Sequence, residues 1–287
     1  MNNLLVGTIK IATVIREIET GYVLDIDDSD VLLHYNDMNE DEKFTEEDEI
    51  EVFLYNDKNE QIVATTILPT IDRERFGWAE VISVIPKLGV FVDIGTTKEI
   101  LVSVDDLPIY TEVWPKENDF LYVSLGEDRR GRLLAIPAKE FDVEPIFEPA
   151  EDIDLNSPIV GTIYYTNREG AAFLTNENIR GFIHHTERFE EPRLGELIKG
   201  RVIEVKEDGT VNASLLPLKE ERIDSDSEII LAYLNNNNGT MPYNDKSNPD
   251  DIRDTFGMSK SAFKRALGKL MRERLVNQNK TGTFIVK

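Results

Sequence analysis

Apolar and polar positions alternate in short runs along most of the chain, and these runs recur in three blocks of similar length. Each block opens with a small residue, a variable residue and a β-branched residue, at Gly7-Thr8-Ile9, Ala79-Glu80-Val81 and Gly161-Thr162-Ile163. A glycine opens the second run of each block, at Gly21, Gly89 and Gly170, and the last run ends at Pro69, Pro137 and Pro217. Five short strands with turn signals between them, and the longest connection after the third, predict a five-stranded barrel of the OB-fold class in each block.

After Pro217 the spacing of apolar positions changes to between three and four residues, which predicts helices. We expect one helix over 226–234, a short helix that begins near 247–251 with a proline in its first turn, and a third helix over 260–275 capped by Ser259. A hairpin is predicted over 276–286, with its turn near Gly282. This order of elements is that of a winged helix-turn-helix.

The chain is therefore expected to be mainly β with a C-terminal α/β unit. Three tandem OB-fold barrels are predicted at 1–70, 71–147 and 148–220, and a winged-helix domain at 221–287. No apolar run approaches the roughly 20 residues that cross a bilayer, so no membrane association is expected. The absence of cysteine fits a reducing cytoplasm and excludes disulfides and thiolate metal sites.

Charge is distributed unevenly along a chain whose net charge is −23. Residues 1–70 carry 4 basic and 17 acidic side chains, whereas residues 258–287 carry eight basic side chains and one acidic side chain. The total charge opposes contact with a polyanion, but the basic tail offers a local site for one. The candidate residues there are on the predicted third helix: Lys260, Lys264, Arg265, Lys269 and Arg272.

Phe91 is the leading candidate for contact with a nucleobase. Val90, Val92 and Ile94 alternate onto one face of their strand, so Phe91 falls on the opposite face. An aromatic ring on the solvated face of an OB-fold strand is a platform on which a base can stack. The alternative is that the ring packs under a loop or against a neighbouring barrel.

The middle block resembles the RNA-binding OB-fold domain named after ribosomal protein S1. The matching segments are 88–92, 98–102 and 123–133, and the third block matches through 181–187 and 195–202. When these segments are taken together with the C-terminal segments 247–252 and 256–270, nearly the whole chain resembles the conserved virulence factor B family of bacterial RNA-binding regulators. This resemblance implies RNA binding and post-transcriptional regulation of gene expression, including that of virulence genes.

The resemblance to the S1 domain implies further binding positions. Asp128 and Arg132 stand where such domains place a polar pair beside the stacking ring, with a plain ion pair in an exposed turn as the alternative. His184 matches the histidine of the third strand, and Ser103 occupies the matching place in the middle block. The adjoining His185 is expected to point the other way.

The first and third blocks depart from this pattern. In the first, Val23 stands at the position of the exposed aromatic residue, and Tyr22 is expected to face inward. In the third, either Ala172 or Phe173 could fill that position. The acidic first barrel is therefore expected to bind RNA poorly, and to act as a spacer, as a surface for a protein partner or as a brake on non-specific binding.

These features favour a non-enzymatic cytoplasmic protein that binds single-stranded RNA through one interrupted groove of the middle barrel, the third barrel and the winged helix. No nucleophile elbow, phosphate-binding loop or metalloprotease motif occurs, and the three histidines and the lack of cysteine indicate no zinc site. No cofactor or metal is therefore expected. Two alternatives stay open: a DNA-binding transcription regulator led by the winged helix, and a protein-interaction scaffold on RNA machinery.

Overall fold

The computed structural model describes residues 4–286, which divide after Leu215 into two compact units. The first unit contains three closed five-stranded barrels, which confirms the predicted mainly β class. Around each barrel the strands follow the order one, two, three, five, four, and the third and fifth strands run parallel. This is the strand order of the OB-fold.

The bounds of the strands repeat from barrel to barrel. The first barrel consists of β1 (Ile9–Ile18), β2 (Gly21–Ile26), β3 (Ser29–His34), β4 (Glu49–Asn56) and β5 (Ile62–Thr65). The middle barrel consists of β6 (Gly77–Ile85), β7 (Gly89–Asp93), β8 (Ile100–Ser103), β9 (Phe120–Glu127) and β10 (Leu133–Pro137). The third barrel follows a short helix, α1 (Glu140–Val143), and consists of β11 (Pro158–Thr166), β12 (Gly170–Leu174), β13 (Arg180–His184), β14 (Leu197–Val205) and β15 (Val211–Ser214).

The recurring glycine at the start of each second strand has a steric cause. Gly21 and Gly89 have φ angles of +152° and +138°, which side chains with a Cβ rarely adopt. A Cβ at either position would lie 2.0 Å from a carbonyl oxygen of the paired third strand, that of Leu33 or Val102. The repeat that reveals the barrels in the sequence is thus required by the close approach of two strands.

The first and middle barrels share one hydrophobic core. Val6 and Phe53 of the first barrel belong to the same buried cluster as the inward-facing residues of the middle barrel. Polar contacts join the two barrels as well: the buried Leu133 N–H donates to Asn56 Oδ1 at 2.9 Å, and Thr97 Oγ1 donates to an Asp37 carboxylate oxygen at 2.6 Å. The first barrel is therefore packed directly onto the middle barrel and is not an independent domain joined only by a linker.

A second buried cluster joins the middle and third barrels through α1. Tyr122 of the middle barrel and Val143 of α1 pack with Tyr164 and Ala172 of the third barrel. Beside this cluster the Glu140 carboxylate accepts hydrogen bonds from the Arg180 guanidinium, the shortest at 2.9 Å. Burial alone would lower the pKa of Arg180, but the hydrogen bonds and the charge of Glu140 outweigh it and raise that pKa.

The second unit has the element order of a winged helix-turn-helix, as predicted. It consists of α2 (Lys219–Asn236), β16 (Thr240–Met241), α3 (Pro249–Phe256), α4 (Lys260–Arg272), β17 (Val276–Asn279) and β18 (Gly282–Ile285). The three strands form a sheet with β18 in the centre. The turn between α3 and α4 has Gly257 in the left-handed region, and the Ser259 hydroxyl accepts from the Ala262 N–H at 3.2 Å, as expected of its cap.

The first helix of this unit is longer than predicted. The sequence indicated a helix over 226–234, whereas α2 spans Lys219–Asn236. Its first turns are rich in Lys, Glu and Arg, which favour a helix by propensity but carry no apolar periodicity. The apolar pattern therefore marks only the part of α2 that packs on the core, where Ile230 and Leu234 are fully buried.

Candidate nucleic-acid interface

The outer face of β7 presents Phe91 as the alternation predicts. Val90 and Val92 are fully buried and Ile94 is 4% exposed, whereas Phe91 is half-buried and is not part of the barrel core. Across the sheet its backbone neighbours are Ser83 on one side and Leu101 on the other. The ring therefore lies on the solvated face of the barrel.

Other outward-facing side chains continue from Phe91 across the neighbouring strands of the barrel. Leu101 of β8 pairs with Leu134 of β10, and both side chains are half-buried on the same outer face. Arg132 lies two residues before Leu134, in the turn that precedes β10. An aromatic ring and two aliphatic side chains thus follow one another over three strands, and a guanidinium stands in the turn that leads into the last of them. Such a surface can stack a base and contact a phosphate.

Arg132 forms ion pairs with two carboxylates. It contacts Asp128 at 2.7 Å within its own turn, and Glu60 of the first barrel at 3.5 Å. All three side chains are at least partly exposed, so these pairs contribute little to stability. The contact with Glu60 brings the acidic first barrel to the edge of the candidate surface, which sequence reasoning did not anticipate.

The Asp128 carboxylate also shapes the turn between β9 and β10. It accepts from the backbone N–H groups of Arg130 at 2.8 Å and Arg132 at 3.0 Å. The hydrogen bond from the Arg132 backbone is the largest cause of a lowered pKa for Asp128, and the Arg132 guanidinium adds to it. Asp57 holds the corresponding turn of the first barrel in the same way, by accepting from the N–H groups of Asn59 and Gln61. In the third barrel Lys206 stands at this position, and Asp208 accepts from the Thr210 N–H instead. The aspartate therefore has a structural role in the first and middle repeats.

Ser103 and His184 end the third strands of the middle and third barrels, where each caps the following turn. Ser103 Oγ accepts from the Asp105 N–H at 3.3 Å, and His184 Nδ1 accepts from the Thr186 N–H at 3.4 Å. The expectation that His185 points away from His184 is wrong, because the two rings lie 4.1 Å apart. Strand β13 ends at His184 and the chain turns at His185, so the alternation of a strand does not extend to it.

The third barrel has no exposed ring at the position that matches Phe91. Both candidates are fully buried: Phe173 lies in the core of the barrel, and Ala172 lies in the cluster shared with the middle barrel. In the first barrel Tyr22 faces inward as expected, with 4% exposed, and Val23 is also buried, with 8% exposed.

Two outward residues of β13 escaped the sequence reasoning. Phe182 is half-buried on the outer face, and the Arg180 guanidinium lies over its ring at 5.7 Å from the centroid. Their signal was present in the sequence, because Arg180, Phe182 and His184 alternate with Gly181 and Ile183, which are buried.

Helix α4 provides the basic surface of the second unit. Its apolar stripe is buried and includes Phe263 and Leu267, and the side chains of Lys264, Arg265 and Arg272 are exposed. Among the residues that the structure describes, these three cations form no ion pair. The half-buried Lys260 forms none there either.

Lys269 differs from the other basic residues of α4. Its ammonium pairs with Asp224 of α2 and with Glu273 at 3.7 Å, and the hydrogen bond to Asp224 is the main cause of a raised pKa. It therefore ties two helices of the unit together and is less available to a ligand than Lys264 and Arg265.

Two further properties concern residues 4–286 as a whole. No helix in that range is both long enough and apolar enough to cross a membrane. Within the same range, histidine, aspartate and glutamate side chains nowhere form a group of three that could hold a metal ion.

Three S1-like barrels and a winged helix define a multidomain protein of the nucleic-acid-binding type. Family models match almost the entire chain: an S1 domain at residues 6–67, the CvfB first S1-like domain at 76–136, the second domain of the virulence regulatory factor CvfB at 143–217, and the CvfB-like winged helix domain at 228–284. The chain belongs to the conserved virulence factor B family.

Curated relatives and a solved structure agree with this assignment. The chain is 45% identical to the uncharacterized protein YitL of Bacillus subtilis over 94% of its own length and 90% of that protein. It is 35% identical to conserved virulence factor B of Staphylococcus epidermidis over 95% of its own length and 92% of the relative. A crystal structure of a multidomain protein with nucleic acid binding domains from Streptococcus pneumoniae has 37% identity and a TM-score of 0.66, with 98% of each chain covered.

Proposed function

We propose that this protein binds single-stranded RNA through the outer face of the middle barrel and through α4, and that it acts in the cytoplasm in post-transcriptional regulation of gene expression, including virulence genes. The observation that carries the proposal is the half-buried, outward-facing ring of Phe91 on a strand whose alternate residues are buried. The similarity to proteins named conserved virulence factor B supports the regulatory role.

The two surfaces contribute different kinds of contact. Phe91 offers a face on which any base can stack, which stabilises binding without sequence preference. Lys264 and Arg265 offer charges to phosphates, and such contacts weaken as the salt concentration rises. Ser103 and Arg132 border the strands that carry the stacking surface, and His184 ends β13 of the third barrel. These are the residues that we expect to contact the sugar-phosphate chain. Single-stranded RNA suits this combination because its bases are free to leave the stack.

The proposal is tested by equilibrium binding of the full chain to fluorescently labelled unstructured RNA. Replacement of a stacked ring by alanine costs about 1–3 kcal/mol, so Phe91→Ala is expected to raise Kd by about 5- to 150-fold. Phe141→Ala is the matched control, because Phe141 is an exposed ring on α1, outside the candidate surface. Unchanged binding by the Phe91 variant, or tighter binding to duplex DNA of the same length, contradicts the proposal.

One observation favours a second function, the binding of duplex DNA by the winged helix. Helix α4 is the second helix of a helix-turn-helix, which enters the major groove in many DNA-binding proteins, and its exposed side chains are basic. In that case the double variant Lys264→Glu with Arg265→Glu would abolish binding to duplex DNA, and Phe91→Ala would have no effect on it. The same two variants measured on RNA and on duplex DNA therefore separate the two functions.

A further inference from the structure

The outer face of the sheet in the winged-helix unit carries an aromatic ring that is not packed in the core. Phe284 lies in the central strand β18, opposite Thr240 of β16 and Asn277 of β17, which are both exposed. The residues one position away in the same pair of strands, Thr283 and Met241, are 1% and 4% exposed. Phe284 thus faces away from the core and is half-buried.

The other aromatic residues of this unit have a different environment. They are Tyr233, Tyr243, Phe256 and Phe263, whose ring centroids lie 5.0 to 6.0 Å from a neighbour in one connected group at the core. Phe284 takes no part in that group or in the hydrophobic core cluster. Its ring is therefore free to contact a ligand.

An open cavity of about 530 Å³ lies beside this ring. It is formed by the end of α2, by β16 and by the β17–β18 hairpin, and every described residue that lines it is uncharged. The amides of Asn236 and Asn238 border the cavity, are exposed, and form no hydrogen bond within the described part of the chain. Hydrogen-bonding capacity is thus available beside the aromatic face of Phe284.

We propose that this cavity binds an unpaired nucleobase of a single-stranded nucleic acid. Phe284 would stack on the base, and the amides of Asn236 and Asn238 would form hydrogen bonds with its edge, since an amide offers both a donor and an acceptor. The described residues that line the cavity are uncharged, which favours a base over a phosphate. A base within a duplex is stacked on both faces and paired along its edge, so it is not available to this cavity.

This inference rests on the proposed RNA binding and adds a second stacking site to it, in addition to the phosphate contacts of α4. Stacking and phosphate contacts differ in how their loss changes the salt dependence of binding. A stacking contact releases no counterions, so its loss weakens binding by the same factor at every salt concentration. Loss of a phosphate contact also lowers the slope of log Kd against log salt concentration.

The test uses the full chain and a labelled single-stranded RNA at several salt concentrations. Phe284→Ala is expected to raise Kd by about 5- to 150-fold with an unchanged slope. Lys264→Glu with Arg265→Glu is expected to change the slope. Ile229→Ala is the matched control, because it removes an exposed apolar side chain of α2 that does not line the cavity. Circular dichroism of each variant establishes that it is folded.

A tryptophan at position 284 supplies a readout that does not depend on affinity. Phe284→Trp is expected to retain binding, and RNA is expected to quench the additional fluorescence because the base stacks on the indole. Equal quenching by single-stranded DNA of the same sequence supports recognition of the base alone. Quenching by RNA but not by single-stranded DNA supports a contribution from the sugar. Quenching by duplex DNA to the same extent overturns the proposal.

The outcomes separate this inference from the proposed function. If the wild-type protein binds RNA and Phe284→Ala binds it equally well, the nucleobase site is refuted and RNA binding by Phe91 and α4 stands. If the Phe284 variant changes the salt slope as the α4 double variant does, the cavity contacts phosphate and the proposal is also refuted. If the wild-type protein binds no single-stranded nucleic acid, both proposals are refuted.

Discussion

Asn56 offers a test of whether the first two barrels unfold as one cooperative unit. Its Oδ1 atom accepts from the Leu133 N–H of the middle barrel at 2.9 Å, and both residues are only 8% exposed. Asn56→Ala leaves that N–H buried without an acceptor, which costs about 1–3 kcal/mol. For a unit of this size, 1 kcal/mol corresponds to about 2–4 °C, so the expected fall in Tm is about 2–12 °C.

The two tryptophans of the chain make the assay specific. Trp78 and Trp114 both lie in the middle barrel, whereas the substitution is in the first. Urea unfolding followed by tryptophan fluorescence is expected to shift to a lower midpoint in Asn56→Ala. Lys58→Ala, at an exposed position of the adjoining turn, is expected to change stability by less than about 0.5 kcal/mol. A fluorescence midpoint that stays unchanged, with an earlier loss of β signal in circular dichroism, refutes the cooperative unit.

Two further predictions concern the charged contacts of the barrels. Glu140→Ala is expected to lower the free energy of unfolding by about 1–2 kcal/mol, because it leaves the largely buried Arg180 guanidinium without its carboxylate. Glu140→Gln keeps a hydrogen-bond acceptor and is expected to lose less stability. Equal urea midpoints for both variants and the wild type would contradict this prediction. The lowered pKa of Asp128 stabilises the fold above the unfolded value of about 3.9, and this contribution is lost as the pH falls through the lower folded value. The difference in urea midpoint between wild type and Asp128→Asn is therefore expected to shrink below about pH 4, and a difference that stays constant down to about pH 2.5 would show that the charge has no part in it.

The barrels and the winged helix could be predicted from the sequence because their signals are local. Alternation of apolar residues places Val90 and Val92 inside and Phe91 outside without knowledge of any other strand. The glycine at the start of each second strand repeats because the strand pairing leaves no room for a Cβ, as at Gly89. Caps such as Ser259 act within one helical turn, so they too can be recognised from adjacent residues.

The contacts between barrels could not be predicted, because they join residues far apart in the chain. The ion pair between Arg132 and Glu60 joins turns of two different barrels, and the sequence of neither turn indicates that they meet. The burial of Ala172 likewise depends on how the third barrel packs against the middle barrel and α1. Periodicity identifies the outer face of a strand, but it does not reveal whether another barrel covers that face.

The distribution of charge explains how an acidic protein could bind a polyanion. Solvent ions screen exposed charges over about 8–10 Å, so acidic side chains farther than this from a bound phosphate have little effect on it. Glu60 is an exception, since it lies 3.5 Å from Arg132, and a phosphate at Arg132 would compete with it and with Asp128. In the proposed complex the middle barrel therefore contributes mainly through stacking on Phe91, which changes little with salt. The part of the affinity that falls as salt rises would come from the exposed cations of α4, so the two contributions can be separated by the salt dependence of binding alone.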